Sequence, residues 1–267
     1  MTRQPAVAGQ FYPGEAKELK KLIGKLTDKN IKRESVIGVV SPHAGFVYSG
    51  SVAGSVFSKI KLPDTFIVIG PNHTGSGRPF SIMASGSWET PLGKINIDKD
   101  LASDLLKHSR LIQDDLTAHA FEHSIEVQLP FIQYFKENFK FVPIILSHAD
   151  LKTYREMGMD IAETIKRAKK EVLIVASSDM THYEEQNIAK AKDQEAIKAI
   201  LELNEEKLLK KIDELDISMC GYAPVAVMLA AAKILGANRA ELVKYQTSGN
   251  ATGDYSAVVG YAGITVS

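Results

Sequence analysis

A single cysteine, Cys220, stands in a chain of 267 residues, so no internal disulfide can form. That suits a reducing cytosol, and a cytoplasmic location is the expectation. Charge of one sign is equally scarce in surplus. Lys plus Arg and Asp plus Glu both number 32, and the formal net charge is zero. This argues against the extended basic footprint that nucleic-acid binding requires. Long apolar runs are absent too: nothing approaches the ~18 consecutive apolar residues of a transmembrane helix, so no membrane span is expected. The opening MTRQPAVAGQFYPGE lacks the apolar core of a secretory signal. No linker rich in Pro, Gly or Ser divides the chain, and no fixed-period repeat runs through it.

What is present is an ordinary globular composition with one recurring device. Short apolar, β-branched runs stop and hand over to a histidine or an aspartate. VIGVV leads to Ser41-Pro42-His43-Ala44-Gly45, FIVIG to Pro71-Asn72-His73-Thr74-Gly75, and VLIVA to Ser177-Ser178-Asp179-Met180-Thr181-His182. FVPIIL before Ser147-His148 is a weaker case. Such runs read as buried parallel strands. Ligands of open α/β sheets bind beyond the carboxyl ends of those strands. The sequence therefore aims several imidazoles and a carboxylate at one edge of one sheet.

Helical spacing is expected over 15–26, 50–60, 100–108, 151–169, 188–203, 205–212 and 222–235. Strands are expected at 36–40, 66–69, 141–146, 172–176, 241–246 and 257–266, with hairpin material over 81–97 turning at Pro91-Leu92-Gly93. Residues 119–135 are helix-compatible, with Pro130 expected to kink or end the helix. The whole chain, 1–267, reads as one α/β domain: a mixed sheet covered by helices on both faces.

His43 and His73 are the first candidates for metal ligation, since neutral imidazole is the commonest protein ligand and the neighbouring glycines permit close approach. Their structural alternative is a pair of strand-capping histidines. Asp179 and His182 are three apart; on a helical turn they would share a face, the carboxylate orienting the imidazole as a general base. His119-Ala120-Phe121-Glu122-His123 matches H-x-x-E-H, a pattern of some zinc peptidases that needs a helix to align its histidines. This makes His119 and His123 further catalytic candidates, with one of them expected at the strand-end site and a structural role for the other. Gly70 to Gly77 is glycine-rich enough to cradle an anion but lacks the Lys-Ser/Thr ending of a nucleotide-binding loop. Cys220 opens an apolar helix and reads as a buried structural thiol.

At SPHAGFVYSG, GPNHTG, EHSIEVQLPF, SSDMTHY and MCGYAPV, with AVAGQFYPG at the start and GYAGITV at the end, the chain resembles the Memo family. That family is named for the mediator of ErbB2-driven cell motility, and its microbial branch is called the AmmeMemoRadiSam protein B group. Its fold is similar to that of the class III extradiol dioxygenases, non-haem Fe(II) enzymes that open catechol rings. The resemblance implies an α/β sheet with a pocket at its strand ends and His43 and His73 as ligands of Fe(II) or another divalent metal. It also implies pocket positions for Asp179 and His182, with His182 as base. The third ligand is a Glu in those enzymes and a Cys in animal Memo. The stretch Gln246 to Asp254 contains neither, and Asn250 is the nearest counterpart. An amide oxygen is a weaker iron ligand than a carboxylate or thiolate. The microbial group name implies a radical SAM protein as partner, and animal Memo is linked to peptide binding. Three functions therefore compete: a dioxygenase-type metal pocket, a non-catalytic module binding a small molecule, peptide or partner, and a metal-dependent hydrolase.

Overall fold

The structure is a computed structural model that describes residues 1–29 and 31–267. Its centre is a sheet in which Lys140–Leu146, Thr65–Pro71, Val172–Ser177 and Gly38–Ser41 lie side by side, all parallel. The Val258–Val266 strand continues this sheet antiparallel to Gly38–Ser41 and pairs in turn with Ala240–Thr247 and His182–Glu184. On the far side, the expected hairpin is formed by Ser87–Thr90 and Gly93–Ile97. The strand residues of the parallel core are buried nearly throughout, as continuous apolar runs on a sheet covered on both faces should be.

Both faces carry helices, and two close contacts prove it. Gly38 pairs with Val266, so those residues share a face. A Cβ on Gly38 would lie 2.6 Å from Met228 Sδ on the Tyr222–Ile234 helix. Gly263 points to the opposite face, where a Cβ would lie 2.4 Å from Val56 on the Phe46–Lys59 helix. The Phe46–Lys59 helix is itself packed closely by Ala16–Leu26: a Cβ on Gly54 would lie 2.0 Å from the backbone oxygen of Leu26. Backbone cannot swing aside as a side chain can. We therefore expect Gly54→Ala to destabilise the fold by about 3 kcal/mol or more, despite alanine's better helix propensity. Denaturant melts of the two proteins check this.

The sequence expectations differ from the structure in two places that matter for function. Residues 119–135 form no single helix. Thr117–His119 and Glu126–Gln128 are 3-10 turns, and the α-helix runs only from Leu129 to Phe135. Pro130 sits in the first turn of that helix, starting it instead of ending it. The segment after Ser177 is extended, not a helical turn. Met180 N donates to Gly260 O (2.8 Å) and Gly260 N to Thr181 O (2.9 Å), which draws the segment into the sheet edge.

Candidate metal and acid–base site

Thr65–Pro71, Val172–Ser177 and Gly38–Ser41 are adjacent in the sheet, and His73, Asp179 and His43 follow their carboxyl ends within two residues. Strand order alone therefore brings the strand-end residues into one crevice. The ring centroids of His43 and His73 are 5.0 Å apart. His123 joins them from the 119–126 loop, 4.8 Å from His73 and 5.5 Å from His43. One ligand nitrogen from each of the three lies within 4.8 Å of the others.

The surrounding hydrogen bonds decide which nitrogens are free. His43 Nδ1 meets Ser177 Oγ at 2.9 Å. That hydroxyl already gives its proton to Ser124 O (2.7 Å) and also accepts from Gln128 Nε2 (2.8 Å). It must therefore accept from His43 as well, which places the imidazole proton on Nδ1 and leaves Nε2 bare. His73 Nδ1 donates to Glu122 Oε1 (3.0 Å), and the same carboxylate accepts from His73 N and Ser124 N. His73 Nε2 is thus free too, in the carboxylate–imidazole arrangement typical of metal ligands. Burial would raise the Glu122 carboxyl, but its bonds to His73 and Ser124 override burial and hold it at about 2. His43 is pushed well below the usual imidazole range, first by burial and then by its histidine neighbours. His123 is lowered mainly by burial. Neutral rings with bare nitrogens are what a metal ion binds.

Cys220 is the residue whose surroundings the sequence did not show. It does open an apolar helix, but its Sγ lies 3.1 Å from His43 Nε2 and accepts from Asp179 N at 3.3 Å. Burial and the Asp179 carboxylate push this thiol well above its ordinary pKa. The S–H is therefore retained and aimed at the bare nitrogen. A metal at that nitrogen would displace the thiol proton. The three imidazoles with this sulfur beside them make a donor set that fits a divalent transition metal.

Asp179 is buried, and its Oδ1 accepts the backbone N–H of His43 at 2.7 Å, fixing the His43 turn. Burial pushes its carboxyl up to about 6 against the pull of that N–H and of His182. His182 lies on the short His182–Glu184 strand, and Ser218 O, not Asp179, receives its Nδ1–H (2.9 Å). A carbonyl only accepts, so His182 Nε2 is left to take a proton. Both residues line a cavity of about 680 Å³ that also contains the imidazole cluster.

The structure does not bring every candidate together. His119 and His123 share no helix face. His119 is buried beneath the loop with its ring edge toward Trp88, and burial, followed by the Arg3 charge, lowers it to about 3. The H-x-x-E-H spacing thus leaves one histidine in the core and one in the cluster, with Glu122 bonded to His73. Asn250 lies outside the cavity, its Oδ1 accepting from Thr247 N (2.9 Å) at the start of a short helical turn. That local bond takes the oxygen the expected third ligand would need. His148 is bonded to the Tyr222 hydroxyl (2.6 Å) away from the cluster. In the glycine-rich loop the N–H groups of His73 and Ser76, and of Arg78 just after it, are already taken by Glu122, Thr74 and Asp115.

Comparison with known proteins agrees with this architecture. The profile of the family described as Memo-like protein matches residues 3–265. A MEMO1 family protein of Methanopyrus kandleri is 44% identical, covering 99% of this chain and 98% of the relative. One from Methanosarcina barkeri is 45% identical over 99% of each. The crystal structure of an uncharacterized protein of Escherichia coli K12 superposes with a TM-score of 0.57 at 14% identity, covering 85% of this chain and 98% of that one. At that identity it shows a shared fold.

Proposed function

The chain belongs to the Memo-like protein family, and from that premise we propose that its strand-end cavity is a divalent-metal site of dioxygenase type in which His182 moves a proton. The observation that carries the reading is the pair of fixed tautomers: Ser177 and Glu122 each hold an Nδ1–H, so the Nε2 atoms of His43 and His73 are both unprotonated, that of His43 facing the Cys220 thiol. His123 completes a nitrogen cluster and Cys220 offers a sulfur at its edge. Fe(II) is the ion implied by the likeness to extradiol dioxygenases. The donors differ from the usual two-histidine, one-carboxylate set, because the nearby carboxylate, Glu122, is spent on His73.

A metal held here supplies Lewis-acid polarisation of a ligand oxygen. This chain's own residues do the rest. Asp179 holds the His43 turn in place through the backbone N–H. His182, its Nδ1–H anchored on Ser218, takes a proton on Nε2 from a ligand hydroxyl or returns it. Phe11, Val47, Tyr48 and Tyr261 wall the cavity and displace water from the ligand.

Anaerobic purification followed by Fe(II) titration tests the reading. One equivalent should bind. Glu122→Gln should weaken that binding about 10- to 100-fold, the usual cost of losing a group that orients a ligating histidine. A wild-type protein that takes up no iron, zinc or other divalent metal would overturn the proposal.

A further inference from the structure

We propose that the ligand of this cavity carries a cationic group on a flat aromatic or apolar body, an arylalkylamine being the simplest case. The inference rests on the cavity being the functional site, as argued above, but not on a metal being bound.

The first observation is the charge of the lining. Asp179 and Asp254 both face the cavity, and no Lys or Arg is among the residues that line it. In the metal-free cavity an anionic tail would therefore meet carboxylate and no Lys or Arg, while a cation would meet a partner. Asp254 is the exposed member of the pair. Its Oδ1 is bonded to Ser256 N (2.9 Å) and Ser256 Oγ (2.7 Å), which lowers its pKa and keeps it ionised. Its Oδ2 has no protein partner among the described residues and remains for a ligand.

The second observation is aromatic. Tyr48 and Tyr183 line the cavity beside Tyr261, the first partly and the second largely exposed. Tyr183 adopts a left-handed backbone with φ of 59°, unusual for a bulky residue. The pairing irregularity between His182 and Glu184 holds it there. Aromatic faces near a carboxylate are a recurrent way to hold an organic cation. Phe11, Val47 and Val259 complete walls that suit a flat apolar body. A volume of about 680 Å³ is enough for a small molecule of this kind.

The test uses two probes with one phenol ring and opposite charges: tyramine and 4-hydroxyphenylacetate. Both are titrated calorimetrically into the full chain after metal removal with chelator, so that a failure of metal binding leaves this experiment intact. Tyramine should bind about tenfold more tightly, the sum of one attraction gained and one repulsion avoided. Asp254→Asn should cut that preference about threefold, and Tyr183→Ala should weaken tyramine with little effect on the anion. Equal or tighter binding of 4-hydroxyphenylacetate overturns the proposal. So does an unchanged preference in Asp254→Asn, or no binding of tyramine at millimolar concentration.

Discussion

Metal affinity is expected to fall by more than about a hundredfold in His43→Ala and in His73→Ala, beyond the loss for a supporting residue such as Glu122. The expectation follows from how the two rings are held. Each has one nitrogen committed to a fixed acceptor, Ser177 Oγ or Glu122 Oε1, and one left bare. His73 is partly exposed, and His43, although buried, sits in a turn that Asp179 also ties through the backbone. Both variants should therefore fold, and circular dichroism melts near wild type would confirm that lost metal is a local effect. Cys220→Ser should weaken binding less, because the sulfur lies at the edge of the cluster. Equilibrium dialysis against Fe(II) or Zn(II) ranks the variants. Retention of wild-type affinity in both histidine variants would refute the assignment.

Glu126→Ala should cost the fold about 3–5 kcal/mol, the range for removing one partner of a buried ion pair. Glu126 is fully buried and its carboxylate serves the N-terminal arm. It accepts from Ala6 N (2.7 Å) and Val7 N (3.1 Å), from the Tyr12 hydroxyl, and from the Arg3 guanidinium. Arg3 in turn donates to His119 O (2.9 Å) and Glu122 O (2.7 Å) and stacks over Trp88. Removing the carboxylate strands a buried guanidinium and several N–H groups at once. The double change Arg3→Met with Glu126→Leu should recover part of the loss, because it leaves no buried charge unpaired. The site should suffer along with the fold. The arm carries Phe11, whose ring packs edge-on at 4.9 Å against His123, and Arg3 holds the loop that presents Glu122. Denaturant unfolding and metal titration of Glu126→Ala should both move. A melt within about 1 kcal/mol of wild type would show that the pair contributes little net stability.

The parts of this site that were legible in the sequence are those set by local pattern. Apolar β-branched runs announce buried parallel strands, so His43, His73 and Asp179 could be placed at strand ends without a structure. The parts that were not legible depend on distant partners. His123 reaches the cluster because Arg3 and Glu126, more than a hundred positions apart, fold the 119–126 loop as 3-10 turns where helix spacing would have suggested otherwise. Cys220 meets His43 across 177 positions, and no periodicity encodes that contact. Its apolar helix said nothing about what the half-buried thiol faces. Asn250 was drawn in by resemblance to a ligand position, and a three-residue bond to Thr247 takes it away. A signal did exist for His123: Glu122 and His123 lie together in EHSIEVQLPF, one orienting a ligand and the next joining the cluster.

The proposed site holds one divalent ion among His43, His73 and His123 with Cys220 beside it. X-ray absorption on the full-length protein loaded with one equivalent of Zn(II) tests this most directly. The account predicts a nitrogen shell near 2.0–2.1 Å with imidazole outer-shell scattering, and a sulfur near 2.3 Å if the thiol joins. A shell of oxygen alone, without imidazole scattering, would contradict it.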